Sequence, residues 1–150
     1  MMLINEDLIM LDLPAKTKEE AINLLGQKAK QAGRVSDVDG YTKAVLAREE
    51  QYSTGVGFGV AIPHGKTDAV TEPFLMFATV KSLDWSSLDG KDVDLIFAIG
   101  VPEADSSTLH LKILSKLSRQ LMKEDFRVNL RSAKTPQDII QILKDSDVGI

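Results

Sequence analysis

The chain has 150 residues, 43% hydrophobic and 27% charged, with a net charge of −4 and no cysteine. That balance suits one globular domain with a sizeable core, lacks the Lys and Arg excess that holds a nucleic-acid backbone, and without thiols excludes disulfides, a thiolate nucleophile and Cys-based zinc. Two histidines are too few for a three-histidine metal centre, the stretch MMLINEDLIM has no basic segment of a signal peptide, and no apolar run nears the ~18 residues of a membrane span, so the expectation is one soluble, cytoplasmic domain over residues 1–150.

The stretch from Leu8 to Leu13 admits a strand. Thr17, with Glu20 three residues on, forms the capping box of a first helix. That helix carries Ala21, Ile22, Leu24, Leu25 and Ala29 and stops near Gly33. Ser36 with Asp39 repeats the device for a second helix through Tyr41, Val45 and Leu46, which ends around Glu49 to Gln51. A glycine-rich turn follows at Gly55, Gly57 and Gly59, then an apolar run, Val60 to Ile62, that fits a further short strand. Residues 73–80 (PFLMFATV) and 93–101 (VDLIFAIGV) are nearly continuous apolar runs with β-branched and aromatic residues, which predicts strands buried on both faces. The connection SLDWSSLDGKD between them is polar, and its Asp89-Gly90 favours a turn. The last third is helical. Asp105 to Thr108 supply caps for a helix with Leu109, Ile113, Leu114, Leu117 and Leu121 on its apolar face. A short helix follows around Glu124 to Leu130. Thr135-Pro136, with Asp138 at the third position, opens the last helix through Ile139, Ile142 and Leu143. Helices before and after a group of buried strands predict a layered α/β domain.

The chemistry concentrates in residues 48–66, REEQYSTGVGFGVAIPHGK. His64 stands between Pro63 and Gly65, at the end of an apolar segment, which presents its ring rather than burying it. A neutral imidazole with an unperturbed pKa of ~6.5 is a nucleophile near pH 7, and its attack on a phosphoryl group gives a phosphohistidine. Ser53, Thr54 and Gly55 bring hydroxyls and backbone N–H groups, the parts of an anion-binding nest. The glycine pattern matches neither the dinucleotide fingerprint nor a Walker loop, and a flexible turn remains its alternative reading. Arg48 ends the second helix just before this loop. Its fork of donors suits a phosphate, and a cation complementing the helix C-terminus is the alternative. His110 steps with Leu114, Leu117 and Leu121 along one helix face, so from spacing a structural histidine is the better reading. If the two histidines meet, His110 orients His64 or donates to a phosphoryl oxygen. No G-x-S-x-G elbow or H-E-x-x-H pair supports a hydrolase. Asp84, Asp89, Asp92 and Asp94 lack the spacing of a calcium loop.

The run from Glu49 to Gly65 resembles the active-site signature of phosphotransferase-system enzyme IIA domains of the mannitol/fructose class. Glu49, Val56-Gly57 and Val60-Ala61-Ile62-Pro63-His64-Gly65 carry the likeness. His110, Leu111, Leu114, Leu117 and Ser118 resemble the family's second histidine segment. The resemblance implies a single domain with a central mixed β-sheet flanked by helices on both faces. It implies that His64 accepts a phosphoryl group from the histidine-phosphorylated carrier HPr. His64 would then pass it to a cysteine of a IIB component of a sugar permease, with Arg48 and His110 in support and no cofactor or metal. A fructose-like substrate is the expectation, and a nitrogen-type regulatory domain that controls other proteins is the alternative. Phe58 departs from the fructose-type pattern, where a small or polar residue is expected in the loop.

Overall fold

A computed structural model describes residues 3–105, 108–146 and 148. A short 3-10 turn at Glu6–Leu8 precedes strand β1 (Ile9–Met10), and helices α1 (Lys18–Gln31) and α2 (Val38–Gln51) follow. Then come β2 (Gly55–Gly57), β3 (Val60–Ala61), β4 (His64–Thr67), β5 (Phe74–Leu83) and β6 (Val93–Pro102). Helices α3 (Leu109–Leu121), α4 (Glu124–Ser132) and α5 (Pro136–Asp145) close the chain.

The helix ends follow from local chemistry. Thr17 Oγ1 accepts from the Glu20 N–H at 3.1 Å and caps α1. Gly33, with φ of 78°, takes the left-handed position just past its end. The second cap differs from expectation: Asp37 is the N-cap of α2 and makes no side-chain cap bond. The Ser36 hydroxyl donates instead to the Ala69 carbonyl, tying the helix start to the chain after β4. At α5 the capping box is complete, with Pro136 in the first turn.

The six strands form one mixed sheet, ordered β1-β5-β6-β3-β2, with β4 also paired to β6. β6 is the hub: it runs antiparallel to β5 and parallel to β3 and β4. Phe74 to Ala78 and Leu95 to Val101 are continuously buried. Successive strand side chains point to opposite faces, so both faces of the sheet are covered, and the helices supply that cover. Tyr41 of α2 shows how. Its ring lies 5.5 Å from that of Phe74, and its hydroxyl donates to the Ile99 carbonyl at 3.2 Å. Burial pushes this hydroxyl's pKa up, so it serves as a neutral donor.

Three features were not evident in the sequence. β2 occupies the glycine-rich segment, and β4 begins at His64 itself. Trp85, in the polar connection after β5, is fully buried.

Candidate functional site

His64 opens β4 in parallel register with Ile99 of β6. The Ile99 N–H donates to the Pro63 carbonyl at 3.0 Å, which pins the backbone immediately before the imidazole. The ring is half-buried, and its Nδ1 lies 2.9 Å from the Ile62 carbonyl. A carbonyl only accepts, so in the neutral ring Nδ1 carries the hydrogen and Nε2 the lone pair.

A cavity of about 330 Å³ opens beside the ring, between α2, β4, β6 and α3. Arg48, Gln51, His64, Lys66, Leu111 and Leu114 are among its lining residues. The structure thus brings Arg48 and His64 to one wall-lined space. Arg48 also caps its own helix. Its Nη1 donates to the Tyr52 carbonyl at 2.9 Å, and its guanidinium stacks 4.1 Å from the Tyr52 ring centroid. The helix-end reading of Arg48 is thus seen directly, and the same side chain borders the cavity beside His64. The backbone of His110 lies in the first turn of α3; its side chain lies outside the described residues. Leu111 and Leu114 bring the start of that helix to the cavity.

Ser53, Thr54 and Gly55 are placed differently from Arg48 and His64. They are not among the residues lining the cavity. The Ser53 hydroxyl donates to the Trp85 carbonyl at 2.7 Å and accepts from the Gly55 N–H at 3.0 Å. Thr54 is buried, with both its N–H and its hydroxyl directed to the Glu49 carboxylate. Gly55 packs so closely on Ser87 that a Cβ would lie 2.1 Å from its Oγ. These donors are spent inside the protein, so the segment is a fixed support and not an open nest.

Two residues of the cavity wall were not singled out from the sequence. Gln51 and Lys66 line the cavity. Lys66 follows His64 by two residues, so in a strand both side chains share a face; that signal needed β4 to be recognised. Glu49 binds Lys18, Thr54 and Trp85 in a buried cluster behind the loop. Phe58, between Gly57 and Gly59, has φ of 60°, and its neighbours have φ of 94° and 76°. Arg131 Nη2 donates to the Phe58 carbonyl at 2.6 Å, and Arg127 stacks 4.2 Å from the ring centroid. The aromatic departure in the loop is therefore held by two cations of α4, with half of its surface exposed. Among the described residues no group of His, Cys, Asp and Glu could hold a metal ion, and no helix is long and apolar enough to cross a membrane.

Residues 2–146 match the family described as "Phosphoenolpyruvate-dependent sugar phosphotransferase system, EIIA 2". The chain is 46% identical over 140 residues to the PTS system fructose-specific EIIA component of Haloferax volcanii, covering 93% of this chain and 90% of that protein. It is 39% identical over 146 residues to the PTS system fructose-specific EIIABC component of Bacillus subtilis, covering 97% of this chain and 23% of that longer protein. The crystal structure of the nitrogen regulatory protein IIA-Ntr from Neisseria meningitidis has a TM-score of 0.85 at 28% identity, covering 94% of this chain and 96% of that one. With the sheet, the His64 cavity and these likenesses in agreement, the chain belongs to the EIIA type 2 family of the phosphoenolpyruvate-dependent sugar phosphotransferase system.

Proposed function

We propose that the protein is a phosphocarrier for sugar uptake, in which His64 Nε2 takes a phosphoryl group from HPr phosphorylated on histidine and passes it to a cysteine of a IIB component. The observation that carries this reading is the hydrogen bond from His64 Nδ1 to the Ile62 carbonyl, at 2.9 Å, on a ring that borders the Arg48 cavity. It puts the nucleophilic lone pair on the other nitrogen. In the first step the Nε2 lone pair forms the new N–P bond. The bond from phosphorus to the donor's imidazole nitrogen breaks, and its electron pair returns to the donor ring. In the second step a IIB thiolate attacks the same phosphorus and His64 leaves as a neutral imidazole.

Such a transfer needs positioning and charge stabilisation more than covalent help. The bound group carries roughly two negative charges near pH 7. Arg48 supplies a permanent cation at the cavity, and the positive end of α3 adds a favourable field there. His110, on the first turn of that helix, is assigned a supporting role as orienting partner or donor. Ser53, Thr54 and Gly55 serve by holding the loop, since their own donors are engaged. The 46% identity to a fructose-specific EIIA component favours a fructose-like permease as the destination.

A second reading is a nitrogen-type regulatory domain, which the likeness to IIA-Ntr favours. There the phosphorylated and free forms of His64 would bind another protein differently. The two readings separate by delivery: onward transfer to a fructose-type IIB supports the carrier, and binding of a protein target without onward transfer supports the regulator. For the shared core of both, enzyme I, HPr and radiolabelled phosphoenolpyruvate should label the protein, and His64→Ala should abolish labelling. Undiminished labelling of that variant would falsify the assignment of His64.

A further inference from the structure

We propose that Glu49 is a positioning residue for His64, whose buried carboxylate holds the backbone relay that keeps the imidazole proton on Nδ1. The mechanistic part rests on His64 as the phosphoryl acceptor; the tautomer part does not.

Glu49 is 8% exposed, and burying a carboxylate is unfavourable unless donors surround it. Here they come from three separate parts of the chain. Lys18 Nζ of α1 lies 3.2 Å from Oε2. The Thr54 N–H donates to Oε2, also at 3.2 Å. The Thr54 hydroxyl donates to Oε1, and the Trp85 indole N–H reaches Oε1 at 3.3 Å and the Thr54 hydroxyl oxygen at 3.1 Å. A carboxylate only accepts, so the direction of each bond is fixed.

The consequence for the site runs through the backbone. Thr54, clamped at its N–H and its side chain, presents its carbonyl to the Ile62 N–H at 3.0 Å. The Ile62 carbonyl in turn accepts from His64 Nδ1 at 2.9 Å. Two further hydrogen bonds thus connect the clamped residue to the ring. The same turn of α2 that carries Glu49 carries Arg48, so one element fixes both the nucleophile's proton and the cation across the cavity. An amide in place of the carboxylate breaks the pattern. Gln offers one acceptor oxygen and an NH₂ group, and the NH₂ would face donors that need an acceptor. Thr54 then loses part of its clamp. Once the Ile62 carbonyl moves, the ring can hold its proton on Nε2, where the attacking lone pair is lost.

The test is nitrogen-15 NMR of His64 together with transfer kinetics. At a pH well above the imidazole range the intact protein should show the Nδ1–H form. Glu49→Gln should show a mixture of tautomers. Its saturating rate of phosphorylation by phospho-HPr should fall about tenfold, while the half-saturating HPr concentration moves less than about twofold. Thr54→Val removes only the hydroxyl and should shift both readouts the same way by less; Thr54→Ser should restore them. If Glu49→Gln does not fold, Thr54→Val decides. A retained Nδ1–H tautomer in the deciding variant overturns the proposal, whether or not the rate falls, because a lower rate alone is then a packing effect. A tautomer shift with an unchanged saturating rate also overturns it. Labelling that persists in His64→Ala would instead remove the acceptor assignment and leave the tautomer result standing.

Discussion

The guanidinium of Arg48 uses one nitrogen and one face on Tyr52, at 2.9 Å from its carbonyl and 4.1 Å from its ring centroid. An Arg fork has five N–H donors, so those contacts orient it without exhausting it. Losing a charge-assisted contact is worth ~1.5–3 kcal/mol. We therefore expect Arg48→Ala to slow phosphoryl transfer through His64 about ten- to a hundredfold by rapid-quench measurement. Arg48→Lys should fall between, since an ammonium keeps the charge and loses the planar stack. At this scale the placement of the half-buried His64 ring and of Arg48 at the helix end was legible, because Pro63, Gly65 and the helix end are chain neighbours. The role of Ser53, Thr54 and Gly55 was not legible. The hydroxyls of Ser53 and Thr54 looked available, but Trp85 and Glu49, distant in sequence from one another, take them up. The left-handed Phe58 was hidden for the same reason, since its anchors Arg127 and Arg131 lie on α4.

Helices whose signals are local were legible as elements, though the N-cap residue of α2 was not. The cap of α5 is the best case, with Thr135, Pro136 and Asp138 forming the complete box. The Lys134 N–H, followed by the hydroxyl and N–H of Thr135, holds the Asp138 carboxyl below its ordinary range against the opposing effect of desolvation. A carboxyl with a depressed folded value stabilises the helix above its unfolded value of about 3.9, and that contribution is lost as pH falls through the folded value. Protection of the first-turn amides of α5, taken relative to their intrinsic exchange rates, should accordingly fall in acid below about pH 4, and Asp138→Asn should remove that loss of protection. The strands β2 and β4 failed to show in the sequence because their pairing partners define them. Gly55–Gly57 and His64–Thr67 have no apolar alternation, and they become strands by hydrogen bonding to β3 and β6. Asp37 displaced Ser36 as the N-cap of α2 because the Ser36 hydroxyl found a tertiary acceptor in Ala69.

At the scale of the whole molecule, one core cluster runs from Ile4 through the sheet to Val148. β6 ties together β5, β3 and β4, so no strand of the site is supported by local contacts alone. A domain of this size with one continuous core should unfold in a single transition. Tryptophan emission and far-ultraviolet dichroism should therefore give the same urea midpoint, and separate midpoints would show that the site loop melts by itself. The long buried runs of β5 and β6 made this layered α/β architecture readable from the sequence. The mixed strand order was not readable, because it depends on where short segments find a partner.

Trp85 is the one tryptophan of the chain, and its indole nitrogen touches the same carboxylate and hydroxyl that steady the loop behind His64. The protein consequently carries its own fluorophore at a fixed place, with no second tryptophan beside it. With excitation selective for tryptophan, the proposed phosphorylation should change this ring's emission on mixing with phospho-HPr, with no attached dye, and an unchanged emission would show that the Trp85 support does not feel the event.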